Sequence, residues 1–168
     1  MERKKVYNGD FCDMKKVCVV TGGGSGIGFA AAKEAAKKGY YVMIVGRNEK
    51  KLAGAVEELR KDGCEAEAYS CDVSDREHCF ALARHAAECG AVKAVLHIAG
   101  MSPHMGDAEK IMQANALGTV NINDAFFEVI AEGGCDRHKF HFCLHGTVVY
   151  YAKKGLSACM YRPEAFYG

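Results

Sequence analysis

The chain has no tryptophan, only two prolines, almost no net charge and no long apolar run. Two prolines in 168 residues leave no proline-rich linker, and nothing in the composition points to a disordered or collagen-like chain. With 22 Lys plus Arg against 21 Asp plus Glu, the formal net charge is +1. The basic pairs Lys15-Lys16, Lys37-Lys38 and Lys50-Lys51 are dispersed among acids, so no polycationic surface is built and a nucleic-acid partner is not expected. No window approaches the roughly 18 consecutive apolar residues of a membrane span. The charged start from Met1 to Asp10 has no signal-peptide core behind it, so a cytoplasmic protein without a membrane partner is expected. No CxxC pair occurs among the nine cysteines, an odd number that suits reduced core thiols better than a disulfide framework.

What is present suffices for a core. A domain of about 150 residues buries roughly 68–70% of the surface its unfolded chain exposes, and 49% of this sequence is hydrophobic. From residue 14 to 134, short β-type runs alternate with helical patterns, the signature of repeated βαβ units. Strands are predicted at Lys16–Thr21, Tyr40–Val45, Glu65–Cys71 and Val92–Ile98. Helices are predicted from Ser25 to Lys38, from Glu49 to Lys61, from Ser74 to Cys89 and from Asp107 to about Ala131. Ser74 and Glu77 have capping-box spacing at the head of the third helix. Strict alternation of this kind predicts an α/β, Rossmann-type, doubly wound parallel sheet of three αβα layers, with strand order 3-2-1-4 and a frayed fifth strand. Residues 1–13 lie outside the pattern and read as a flexible extension, 14–134 as the Rossmann-type domain, and 135–168 as a divergent C-terminal segment.

The sharpest local feature is Thr21-Gly22-Gly23-Gly24-Ser25-Gly26-Ile27-Gly28, between the first strand and the first helix. Glycines in that position let the backbone turn tightly and approach a pyrophosphate, whose charge is met by free N–H groups and the positive end of the helix dipole. At the tip of the second strand, about 20 residues further on, a carboxylate would accept the ribose hydroxyls of NAD, whereas a cation suits the 2′-phosphate of NADP. The tip here is Gly46-Arg47-Asn48, with no acid, and Arg47 can form a bidentate fork with phosphate. NADP(H) is therefore the preferred cofactor, with NAD(H) as the alternative.

These residues resemble the short-chain dehydrogenase/reductase family, whose glycine motif TGxxxGIG is matched by Thr21 to Gly28. The resemblance continues through Asp72-Val73, where the family contacts adenine, and Ile98-Ala99-Gly100, where the family has NNAG and Ile98 replaces an Asn. Asn115-Ala116-Leu117-Gly118 resembles the family's NxxG. The resemblance implies a cofactor site made of Thr21, Gly22, Ser25, Gly26, Ile27, Gly28, Arg47, Asn48, Asp72, Val73, Ala99 and Gly100. It also implies hydride transfer between a nicotinamide and an alcohol or ketone, and a homo-oligomer formed through the 107–131 helix.

In that family a Tyr acts as general acid/base, with its pKa lowered by a Lys one helical turn away. Tyr150 and Lys154 have the YxxxK spacing, and Asn115 would hold a water in the proton relay. No Ser precedes Tyr150 at the family's distance, and Thr147 is too close to replace it. The family pattern stops after Gly133-Gly134-Cys135, and the abrupt break at Asp136 resembles a truncation or a change of reading frame. A catalytically inactive remnant that still binds nucleotide or a partner is thus the alternative to an enzyme. Cys135, His138, His141, Cys143 and His145 offer zinc-type ligands, but their spacing matches no two-pair finger, and no metal is assigned.

Overall fold

The structure, a computed structural model, describes residues 15–131 throughout and, beyond them, the backbone of 138–142, 147–151 and 159–160. The segments 1–13, 132–137, 143–146, 152–158 and 161–168 lie outside the described residues, as does Met14. Strands β1 (Lys16–Thr21), β2 (Tyr41–Gly46), β3 (Ala66–Ser70) and β4 (Ala91–His97) alternate with helices α1 (Gly26–Lys37), α2 (Glu49–Lys61) and α3 (Arg76–Cys89). After β4 come α4 (Ala108–Met112), a π-helical turn at Gln113–Leu117, and α5 (Gly118–Val129), followed by β5 (His138–Phe142), β6 (Thr147–Tyr151) and β7 (Cys159–Met160).

Sheet order is β3-β2-β1-β4-β5-β6-β7. The first five strands run parallel, and the expected 3-2-1-4 arrangement forms their core. Beyond β5 the sheet departs from the expectation, because β6 and β7 add antiparallel strands at that edge. Thr147-Val148-Val149-Tyr150-Tyr151 is a β-branched and aromatic run, a composition that fits a pleated strand better than a helix.

Alternation along the strands builds the three layers. Val17, Val19, Met43 and Val45 point to one face, where Cys79, Leu82, Ala83 and Ala86 of α3 meet Ile122, Ala125 and Phe126 of α5. Cys18, Val20, Val42 and Ile44 point to the other, against Ala32, Ala35 and Ala36 of α1 and Leu52, Ala55, Val56 and Leu59 of α2. Small residues on α1 let that helix lie close to the sheet, which brings its amino end up to the carboxyl end of β1.

Two expectations about helices need correction. Ser74 does not cap α3, because its amide and hydroxyl both donate to Asp72 Oδ1, at 3.0 and 2.7 Å. Asp75 takes the N-cap position, its side chain accepting from the His78 amide at 3.2 Å. The helix read as continuous from Asp107 to Ala131 is interrupted by the π-helical turn, which holds one more residue per turn than an α-helix.

Candidate functional site

The carboxyl ends of β1, β2 and β4 open onto a cavity of about 470 Å³ between the glycine loop, the tip of β2 and the loop after β4. This is the position where a doubly wound sheet reverses its strand order, and ligands settle in such crevices. Gly22 has φ +71°, and a Cβ there would stand 2.9 Å from the Ala99 amide nitrogen. Its own amide donates to Val45 O at 2.8 Å, so the loop is fastened to β2 as well. Gly28, in the first turn of α1, lies so close to the loop that a Cβ would stand 2.1 Å from Gly22 O. Gly26, at φ +56°, would present a Cβ to open space, so only its backbone conformation calls for glycine. Ser25 is the N-cap of α1 and makes no side-chain capping bond. The helix therefore begins at the cavity without a side chain closing its positive end.

Gly22, Ser25, Ile27, Gly28, Arg47, Asp72, Val73, Ala99, Gly100 and Asn115 all line this cavity, a convergence from the segments that follow four strands and from the π-helical turn. Two residues of the expected cofactor set have other work. The Asn48 side chain caps α2 by accepting from the Lys51 amide at 3.0 Å. Thr21 is fully buried beneath the cavity floor, its hydroxyl accepting from the Ile98 and Ala99 amides at 3.1 Å each. Thr21 thus positions the loop after β4 from behind.

Arg47 is 64% exposed at the tip of β2, with Nη1 3.9 Å from Asp72 Oδ2. So loose and exposed a pair holds little energy and leaves the guanidinium available. Burial pushes the Asp72 carboxyl up, but the Ser74 hydroxyl and amide, with the charges of Arg47 and His78, outweigh it and hold the group below the ordinary carboxylate value.

Asn115 sits in the π-helical turn, buried, and grips Met101 twice: Oδ1 accepts from the Met101 amide at 2.7 Å and Nδ2 donates to its carbonyl at 2.9 Å. Its own carbonyl accepts from the Thr119 hydroxyl at 2.6 Å. Tyr150, the expected general acid/base, lies in β6, paired with Lys139 of β5 and Cys159 of β7. Tyr150 and Tyr151 take strand conformation, and residues 152–154, with Lys154, lie outside the described residues. Of the tail's candidate metal ligands, His138 and His141 fall in β5, while Cys135, Cys143 and His145 lie outside the described residues.

Sequence reasoning missed two contributors. Asn121, buried on α5, donates from Nδ2 to the carbonyls of Val73 (3.0 Å) and Ser74 (3.1 Å) and so braces the wall expected to face adenine. Gly118 makes that bracing close, since a Cβ there would come within 2.7 Å of Val73 Cγ2. His97 ends β4 and lines the cavity, 3% exposed, with Nδ1 2.7 Å from Thr21 Oγ1. Because that oxygen already accepts two amides, its own proton goes to Nδ1, which fixes the imidazole as the Nε2–H tautomer. Burial pushes the His97 pKa down to about 4. A polar residue closing a largely apolar strand was the available signal for His97, and an Asn between the apolar Val120 and Ile122 the signal for Asn121.

A parallel sheet with a glycine turn, an open helix amino end and a switch-point cavity defines a Rossmann-type α/β domain. The family model for short chain dehydrogenases matches residues 16–135. The chain belongs to the short-chain dehydrogenase/reductase family. A sorbose reductase of Schizosaccharomyces pombe is 32% identical over 143 residues, covering 82% of this chain and 54% of that protein. An uncharacterized oxidoreductase of Mycobacterium tuberculosis is 34% identical over 120 residues, covering 64% of this chain and 35% of that one. Among solved structures, an actinorhodin polyketide ketoreductase variant with NADPH superposes with TM-score 0.63 at 28% identity, covering 68% of this chain and 47% of that one. A Burkholderia phymatum short chain dehydrogenase/reductase in complex with NAD gives 0.60 at 29%, covering 69% and 44%. The chain spans about one third to one half the length of these proteins. Among the described residues no helix is long and apolar enough to cross a membrane.

Proposed function

We propose that this chain binds a nicotinamide dinucleotide, NADP(H) in preference to NAD(H), and serves an oxidoreductase that interconverts an alcohol and a ketone. The observation that carries the reading is the cradle formed by Gly22 and Gly28, where a Cβ would strike the Ala99 amide or the Gly22 carbonyl, so that only glycine lets the loop turn this tightly at the α1 amino end. When bound, the cofactor supplies or accepts the hydride. Main-chain amides from Gly22 to Gly28 hold the pyrophosphate, Asp72 and Val73 border the adenine, and Ala99 and Gly100 border the nicotinamide side. Arg47 stands on the ribose side, where its planar fork matches a 2′-phosphate. Relatives of solved structure are described with NADPH in one case and NAD in another, so the choice falls to this chain's own residues.

Arg47→Ala is expected to weaken NADPH binding about 10–100-fold, the worth of one or two charge-assisted hydrogen bonds, while NADH affinity changes little. Because the chain has no tryptophan, titration is best read from the fluorescence of the reduced nicotinamide itself. Equal losses for both nucleotides would remove Arg47 from cofactor selection.

Proton transfer is assigned to Asn115, Tyr150 and Lys154. The strand conformation at Tyr150 favours a second reading, in which the chain holds nucleotide without turnover. NADPH oxidation over a panel of ketones separates the two, with Tyr150→Phe as control: turnover that survives this change excludes Tyr150 from the mechanism. Met112, Leu117, Val120 and Phe127 expose large apolar side chains along the 107–131 segment, and we assign this face to a homo-oligomer. Phe127, 67% exposed, is the most prominent of the four, and Phe127→Lys is expected to shift sedimentation toward the monomer.

A further inference from the structure

At the opposite end of the strands from the cavity, three side chains of different chemistry converge. His85 and Cys89 are four residues apart on α3 and so share a helical face, and Glu67 reaches them from β3. His85 Nε2 lies 3.0 Å from Glu67 Oε1, the Cys89 thiol donates to the same oxygen at 3.4 Å, and Cys89 Sγ is 3.8 Å from His85 Nε2. Among the described residues this is the one group of three or more His, Cys, Asp or Glu donors able to share a metal ion.

From the geometry we propose that Glu67, His85 and Cys89 bind a zinc ion. Zinc at about 2.0–2.3 Å from nitrogen, oxygen and sulfur sets tetrahedral ligand-to-ligand edges of about 3.3–3.6 Å. The three observed separations bracket that range, so the donors need move only by tenths of an ångström. One imidazole, one carboxylate and one thiolate form a set that suits a borderline-soft dication and disfavours calcium or magnesium. The surroundings orient two of the ligands. The Tyr69 ring lies 5.2 Å from the His85 ring and limits its rotation, and the Tyr41 phenol lies beside the Glu67 carboxylate. His85 and Glu67 side chains are 39% and 23% exposed, which admits the ion and leaves a fourth position for water. On binding, the Cys89 thiol proton leaves to solvent as the sulfur–zinc bond forms, and the His85 proton resides on Nδ1. Carboxylate and thiolate together then neutralise the dication. None of the three lines the nucleotide cavity, so the ion would tie α3 to the edge strand β3 without taking part in hydride transfer.

The test uses the full, untagged chain, stripped with a chelator and titrated with zinc alone. One ion per chain is expected, and cobalt in its place should show a sulfur-to-cobalt charge-transfer band. Cys89→Ser should abolish the band. Cys89→Ser, His85→Gln and Glu67→Gln should each weaken zinc binding by at least the roughly 10–100-fold that losing even an outer-sphere partner costs, with NADPH affinity unchanged. Wild-type chain that binds no zinc overturns the proposal. So does a sulfur band that persists in folded Cys89→Ser, or a zinc affinity unchanged in folded His85→Gln and Glu67→Gln, either of which would place the metal on other ligands such as those between Cys135 and His145. The wild-type cobalt spectrum decides against the site if it lacks the sulfur band, even should a variant fail to fold.

Discussion

Gly28→Ala is expected to abolish detectable nucleotide binding and to destabilise the fold at the same point. The added Cβ would lie 2.1 Å from Gly22 O and 2.6 Å from Gly22 C, both backbone atoms, so no side-chain rotation relieves the clash. Either α1 or the glycine loop must retreat, at a cost of about 1–3 kcal/mol for overpacking. A retreat of that kind separates the main-chain donors from the phosphate. Losing two charge-assisted bonds at about 1.5 kcal/mol or more each corresponds to at least about 100-fold weaker binding. Gly54→Ala on α2 is the matching control, because a Cβ there meets nothing within 4 Å. That change should stabilise the helix by roughly 0.5–1 kcal/mol and leave the nucleotide untouched. Undiminished NADPH affinity in a folded Gly28→Ala chain would remove the phosphate-cradle assignment.

A pH dependence of stability centred on His97 is expected to be nearly as large. Its folded pKa is about 4, and the group ordinarily titrates near 6.5, so below pH 6.5 the unfolded chain binds a proton that the folded chain refuses. Stability from this residue is complete above pH 6.5 and is lost as the pH falls toward 4, by roughly 3 kcal/mol across that window. A second cause adds to burial. A protonated Nδ1 would aim a third N–H at Thr21 Oγ1, which already accepts two amides and could no longer donate. Denaturant unfolding of His97→Asn should therefore vary less between pH 7 and pH 4.5 than that of the wild-type chain. An unchanged difference between the two pH values would assign the acid sensitivity to other groups.

Much of the sheet was legible because its strands are short runs of Val, Ile, Cys and Met punctuated by glycine, and β1 and α2 fall where the periodicity placed them. The α3 cap was misplaced for a local reason: Ser74 and Asp75 are both good caps, and only the neighbouring carboxylate of Asp72, which recruits Ser74, decides between them. In the 107–131 segment, mixed three- and four-residue apolar spacing averages over a wide turn, so the pattern gave no sign of the extra residue at Gln113–Leu117. The YxxxK spacing at Tyr150 concealed the strand preference of Thr147 to Tyr151, since a spacing of four says nothing about backbone conformation. Within the site, the glycines, Arg47 and Asp72 could be read because their roles depend on local sequence. The buried support supplied by Thr21, His97 and Asn121 could not, because their partners are 76, 76 and 48 residues away.

The wide turn at Gln113–Leu117 divides responsibility for the cavity walls between the two halves of one rod. Upstream of Gly118, Asn115 anchors the Met101 loop; downstream, Gly118 and Asn121 seat the Val73 wall. Excising one residue from the turn would restore an unbroken α-helix and swing everything before it by about 100° about the axis. Met101 would lose its anchor while Val73 kept its support. Insertions and deletions at this one spot are thus a means of reshaping one bank of the cleft independently of the other.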